Sequence, residues 1–169
     1  MKTLIISAFP GCGKTFVVKN NKYSEYLFCD KDNGFLNCKQ EFEVYTEEIL
    51  QIIGKVDFLF ISQYPEVLKL LHDHKVPYIV VAPNNSYLLS SHMRKLIKEQ
   101  WFGRFFLRKN CEIWMNTLYQ NYDKWTCLDH LLAMKPCEII LLGNCEYLSD
   151  IISDLEKMRE LYGVDIVNN

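Results

Sequence analysis

Apolar runs bounded by turn residues alternate along this chain with segments of helical period. Residues 3–8 form a continuous apolar run, the pattern of a strand buried on both faces. A short helix is expected over 14–19, and a second strand over 26–29. A polar stretch, 30–37, follows. Residues 47–53 read as an amphipathic helix with Ile49, Leu50, Ile52 and Ile53 on its apolar side. Strong strands are predicted over 56–61 and 77–82, the latter closed by Pro83. Between them Pro65 sits where a helix favours its first proline, and Val67, Leu68, Leu70 and Leu71 continue the pattern. Helices are expected over 86–100 and 112–125, a fifth strand over 138–142, and a last helix over 147–161 stopped by Gly163. Asn168 and Asn169 read as a loose tail.

Strands spaced by helices predict an α/β fold with a mainly parallel sheet of about five strands flanked by helices. No repeat, linker or low-complexity stretch divides the chain, so residues 1–169 are expected to form one domain.

Composition narrows the function classes. Nineteen basic against 21 acidic residues give a net charge of −2, which argues against a generally basic nucleic-acid coat while leaving room for a local basic groove. The seven cysteines are odd in number, and none form a CxxC pair, so reduced thiols are expected. The four histidines do not pair with cysteines at zinc-ligand spacing. No run reaches the roughly 18 apolar residues of a membrane span. The short apolar start is ended at once by Pro-Gly-Cys-Gly-Lys-Thr, so it reads as a buried strand rather than a leader, and a cytoplasmic location is expected.

One segment carries chemistry. Ala8-Phe9-Pro10-Gly11-Cys12-Gly13-Lys14-Thr15 matches the phosphate-loop (Walker A) pattern GxxxxGKS/T, with Ala8 in place of the first glycine. It lies between a buried strand and a helix, as that motif requires. Gly11 and Gly13 let backbone N–H groups turn toward an anion. Pro10, Gly11, Cys12, Gly13, Lys14 and Thr15 are therefore the expected nucleotide-binding residues. Lys14 would reach the β- and γ-phosphates of ATP, and the Thr15 hydroxyl would ligate Mg²⁺.

Further signals follow in order. Asp30 and Asp32 fall at the carboxyl end of the second strand, the edge where ligands bind in open α/β sheets. A carboxylate there can take a proton from an attacking hydroxyl or help hold Mg²⁺, so Asp30 is a candidate catalytic and metal residue, and Asp32 a candidate acceptor contact. The third strand has Asp57 at its start and Ser62-Gln63 at its end, so it lacks a strand-end acid. The protein has four arginines, and Arg94, Arg104 and Arg108 lie within fifteen residues of one another, with Lys95, Lys98 and Lys109. This basic segment, about 94–110, is expected to be a mobile lid in which Arg104 and Arg108 clamp a transferring phosphate. Lys95 and Lys98 suit a solvated helix face. Trp101, Phe102, Phe105 and Phe106 could line an acceptor pocket or a protein interface, although most aromatic residues in such a chain belong to the core.

The order of strand, GxGKT, strand, DxD and basic segment resembles the P-loop kinases. It is similar in particular to small phage-encoded kinases of the polynucleotide and deoxynucleotide kind, including those acting on hydroxymethyluracil in phage DNA. The likeness runs over residues 2–142, through Ile5 to Thr15, Cys29-Asp30-Lys31-Asp32, Val56 to Ser62, Val80-Val81-Ala82-Pro83, Arg104 to Asn110 and Asn121 to Trp125. It implies a P-loop fold and ATP- and Mg²⁺-dependent phosphoryl transfer to a nucleotide, nucleoside or nucleic-acid hydroxyl or phosphate, with no membrane partner. Two rival expectations are an ATPase or switch acting on a protein partner, and a nucleotide-binding module in an assembly.

Overall fold

In a computed structural model of the protein, residues 1–31, 36, 38–107 and 112–165 are described. Five strands form one all-parallel sheet: β1 (Leu4–Ala8), β2 (Phe28–Lys31), β3 (Phe58–Ile61), β4 (Ile79–Pro83) and β5 (Glu138–Leu142). Their spatial order is β2-β3-β1-β4-β5. Helices α1 (Lys14–Lys19), α2 (Lys39–Ile52), α3 (Pro65–Asp73), α4 (Ser91–Leu107), α5 (Glu112–Trp125), α6 (Leu128–Ala133) and α7 (Ile152–Tyr162) flank it. A 3-10 turn, Leu148–Ile151, leads into α7.

The apolar run of β1 is the centre of the sheet. Leu4, Ile5, Ile6 and Ala8 are fully buried between β3 and β4. A strand with neighbours on both sides and helices over both faces leaves no wet face for polar alternation. On leaving β1 the chain crosses toward β2, whereas on leaving β4 it crosses toward β5. The carboxyl ends of β1 and β4 therefore diverge, and a crevice at such a switch point is where open α/β sheets place ligands.

Several expected boundaries shift, for identifiable reasons. Helix α2 begins at Lys39, eight residues before the apolar stretch that announces it. The Glu41 carboxylate accepts from the Cys38 N–H at 3.3 Å, a capping box that starts the helix early. The added turns bury Tyr45 and Thr46. The strand over 26–29 is Phe28–Lys31, so Asp30 lies within β2, in register with Phe60. Helix α4 starts later than expected, at Ser91, and runs to Leu107, through most of the segment expected to be a lid. The short α6 was not foreseen. No described helix is long and apolar enough to cross a membrane.

Candidate functional site

Between β1 and α1 the chain makes a tight loop from Ala8 to Thr15. Its two glycines adopt positive φ, 86° at Gly11 and 97° at Gly13, a region closed to most L-residues. Gly11 is further constrained: a Cβ there would lie 2.8 Å from Trp101 Nε1 and 3.1 Å from the Phe105 ring. Lys14, 6% exposed, turns back across the loop and donates from Nζ to the Ala8 carbonyl at 2.8 Å. The acceptor on Ala8 is its backbone carbonyl, which a glycine at this position would supply equally.

The carbonyls of this loop can be accounted for one by one. Ala8 O accepts from Lys14 Nζ, and Phe9 O from the Cys12 N–H at 3.3 Å. Pro10 O accepts from Trp101 Nε1 at 2.6 Å, and Gly11 O from Arg104 Nη1 at 3.1 Å. Cys12 O accepts from the Leu148 N–H at 2.9 Å, and Gly13 O from the Val17 N–H at 3.1 Å. Six successive carbonyls thus have six donors. A loop whose acceptors are all engaged offers an incoming group N–H donors and a lysine, which is the chemistry of an anion site.

The carboxyl end of β2 meets this loop. Thr15 Oγ1 donates to Asp30 Oδ2 at 3.1 Å, so the two residues expected to handle metal are in contact. Beside Asp30, burial pushes the Cys29 thiol up, Lys31 opposes and Asp30 adds to the shift, so the sulfur is held as a neutral thiol. The end of β3 is tied to that of β2 by Tyr45, whose hydroxyl donates to Lys31 O and accepts from the Ser62 N–H at 3.1 Å. Past Ser62, Gln63 Nε2 is buried without a hydrogen-bond partner among the described residues. Asp57 lies at the opposite edge, where it accepts from the Leu27 N–H at 2.8 Å and pairs with Arg159.

The basic segment is placed differently from expectation. Among the described residues it is no separate lid: up to Leu107 it is part of α4, packed on the glycine loop. Arg104 is 9% exposed, and its guanidinium lies 3.9 Å from the ring centroids of both Trp101 and Tyr147. One nitrogen serves Gly11 O and another serves Glu146 O at 3.1 Å, which puts Arg104 on the carbonyl side of the loop. Its burial needs Tyr147, 43 positions further on, so local charge clustering could not reveal it. Trp101, Phe102 and Phe105 are buried core residues rather than pocket or interface aromatics, whereas Phe106 is exposed. Lys95 pairs with Glu99 on a solvated face as expected. Lys98 does not: its side chain is 17% exposed, bonds Asp123 at 2.6 Å and lies over Tyr119. Asp32 and Arg108 lie outside the described residues.

The residues that the sequence did not single out are Tyr147, Leu148 and Tyr45, which with Trp101, expected only at a pocket or interface, frame the loop and the strand ends. For Tyr45 a signal existed, since Phe42, Tyr45, Thr46 and Ile49 already recur at helical spacing. Among the described residues no group of three or more His, Cys, Asp or Glu could enclose a metal ion. Mg²⁺ does not require such a cage, because it commonly takes one or two protein oxygens, waters and substrate phosphates. The Thr15 hydroxyl and Asp30 carboxylate are hard oxygen donors of that kind. No protein-family model matches the chain, and no curated protein matches its sequence.

Proposed function

We propose that this protein is an ATP- and Mg²⁺-dependent phosphotransferase of the P-loop kinase kind, acting on a hydroxyl or phosphate of a nucleotide, nucleoside or nucleic acid. The observation that carries the reading is the glycine loop with every carbonyl from Ala8 to Gly13 engaged and Lys14 laid across it. Such a loop favours a polyphosphate over a neutral or cationic ligand.

The roles follow from placement. The loop amides and Lys14 hold the phosphates of the donor, the lysine releasing Ala8 O to do so. Thr15 and Asp30 would hold Mg²⁺, which would supply positive charge to the phosphates when bound. Asp30, at the active edge of the sheet, orients the acceptor and takes its proton as the acceptor oxygen bonds the γ-phosphorus and the bond from that phosphorus to the β,γ-bridging oxygen breaks, with ADP as the leaving group. The tie through Tyr45 fixes the end of β2, and so Asp30, relative to the ends of β3 and β1.

Two measurements test this. Transfer of labelled γ-phosphate should be screened across nucleosides, nucleoside monophosphates and DNA ends. Product on any of them supports the kinase, and free phosphate alone makes the protein an ATPase. In parallel, Lys14→Ala should weaken ATP binding by about 100-fold, the scale of losing hydrogen bonds to charged groups, with the fold retained. Equal affinities for the two proteins by calorimetry would remove the phosphate-loop assignment.

A further inference from the structure

We infer that Trp101 and Arg104 of α4 are positioning residues that pre-set the glycine loop for phosphate, acting through its carbonyls and not on the ligand itself. This rests on the reading of the loop as a phosphate site and changes the role expected of Arg104.

Peptide geometry sets where the loop amides point. Among the described residues no peptide bond is cis. In a trans peptide the C=O of one residue and the N–H of the next point in opposite directions. Trp101 Nε1 fixes the Pro10 carbonyl at 2.6 Å, which turns the Gly11 N–H away from α4. Arg104 Nη1 fixes the Gly11 carbonyl at 3.1 Å and does the same for the Cys12 N–H, which closes the turn onto Phe9 O. The Leu148 N–H fixes the Cys12 carbonyl at 2.9 Å, turning the Gly13 N–H inward. Three consecutive peptide planes are thus held from outside. The Gly11 and Gly13 amides face the concave side before any ligand arrives.

The holding groups are themselves rigid. Arg104 is stacked between the rings of Trp101 and Tyr147, each centroid 3.9 Å from its guanidinium carbon, and its second nitrogen is bonded to Glu146 O. Tyr147 also covers Gly13, where a Cβ would sit 3.4 Å from its ring. Glycine gives the loop its shape but also leaves it the most conformational freedom to lose. The clamp removes that freedom during folding, so less is lost when the ligand binds. A group that contacts phosphate only in the transition state would change rate and spare affinity. A group that pre-sets the loop changes affinity for any polyphosphate, whatever base is attached.

The test uses the full chain with inorganic tripolyphosphate and ATP as probes. Trp101→Phe keeps a buried ring and deletes the N–H. Arg104→Lys keeps the charge and deletes the planar fork. Each variant should weaken binding of both probes by a similar factor, about tenfold, with turnover at saturating ATP reduced much less. The Gly11 and Gly13 amide resonances should move on tripolyphosphate titration of the wild type and need a correspondingly higher concentration in the variants. The wild-type Trp101 indole N–H should be protected from exchange before ligand is added, a reading that requires no variant to fold. The inference is overturned alone if wild type binds tripolyphosphate while Trp101→Phe and Arg104→Lys bind it equally well, or if the unliganded indole N–H exchanges freely. If wild type binds neither probe, the phosphate-loop reading falls and the inference with it.

Discussion

The two edges of the sheet use similar side chains to opposite ends. At the amino edge, Asp57 accepts from the Leu27 N–H and pairs with Arg159, and that guanidinium lies over Tyr26 and Phe58. Thr3 donates to Val56 O at 2.6 Å and accepts from the Gly54 N–H at 2.8 Å. The Tyr26 hydroxyl is held neutral, raised first by burial and then by Glu156. At the carboxyl edge an aspartate, a threonine and a stacked arginine recur, but Thr15 is exposed and reaches only the tip of Asp30. Each edge also keeps one buried nitrogen without a hydrogen-bond partner among the described residues, Gln63 Nε2 at the carboxyl edge and Arg159 Nε at the amino edge. An edge whose polar groups satisfy one another contributes stability. At the carboxyl edge the exposed Thr15 hydroxyl and the loop's backbone N–H groups lie where strand ends in open α/β sheets receive ligands.

This contrast can be broken by exchanging stability for activity. The largest effect is expected at the amino edge. Asp57→Ala strips a partly buried arginine of its carboxylate and leaves the Leu27 N–H unanswered, and should cost about 3 kcal/mol in chemical denaturation. ATP affinity of the remaining folded protein should be unchanged. A large loss of affinity with no loss of stability would show that the edges are not separable in this way.

Asp30→Asn should behave conversely. Phosphoryl transfer is expected to fall by about 10²-fold, the scale of general acid–base catalysis, with stability near that of the wild type. Unchanged turnover in a steady-state assay would reduce Asp30 to a strand-end residue. Tyr45→Phe lies between the two cases. It removes the tie between Lys31 O and the Ser62 N–H, and about 1–2 kcal/mol of stability should go with it. If turnover drops further than stability, the frame of the carboxyl edge matters to the chemistry. The smallest effect belongs to Lys95→Ala, whose exposed pair with Glu99 should contribute within about 0.5 kcal/mol and nothing to turnover.

Much of this arrangement was legible in the sequence wherever the cause was local. The apolar run of β1, the glycines at positive φ and the onset of α1 at Lys14 follow from patterning and backbone sterics within a dozen residues. The contact of Thr15 with Asp30 followed from the rule that ligands gather at strand carboxyl ends. What could not be read depended on partners far along the chain. Arg104 looked like a free cation because Tyr147 and the Gly11 carbonyl are brought to it only by the tertiary fold. Lys98 looked solvated because Asp123, on the next helix, is invisible to helical periodicity. The early start of α2 rests on Glu41, a capping residue outside the apolar stretch that marks the helix.

The clamp on the glycine loop also bears on the order in which the protein becomes competent. The loop is made within the first fifteen residues, yet its carbonyls are held by Trp101 and Arg104, 91 and 93 positions later, and by Leu148. During synthesis the Gly-Cys-Gly-Lys-Thr segment therefore precedes the residues that hold it, and its carbonyls can be held only once α4 and the turn after β5 have docked. Contacts of such long sequence separation form slowly. A nascent chain should not sequester nucleotide before most of the domain exists. On the proposed reading, ligand bound at the loop would restrain elements from both halves of the chain, and nucleotide at 100 times its Kd would add about 2.7 kcal/mol to the stability of the whole fold.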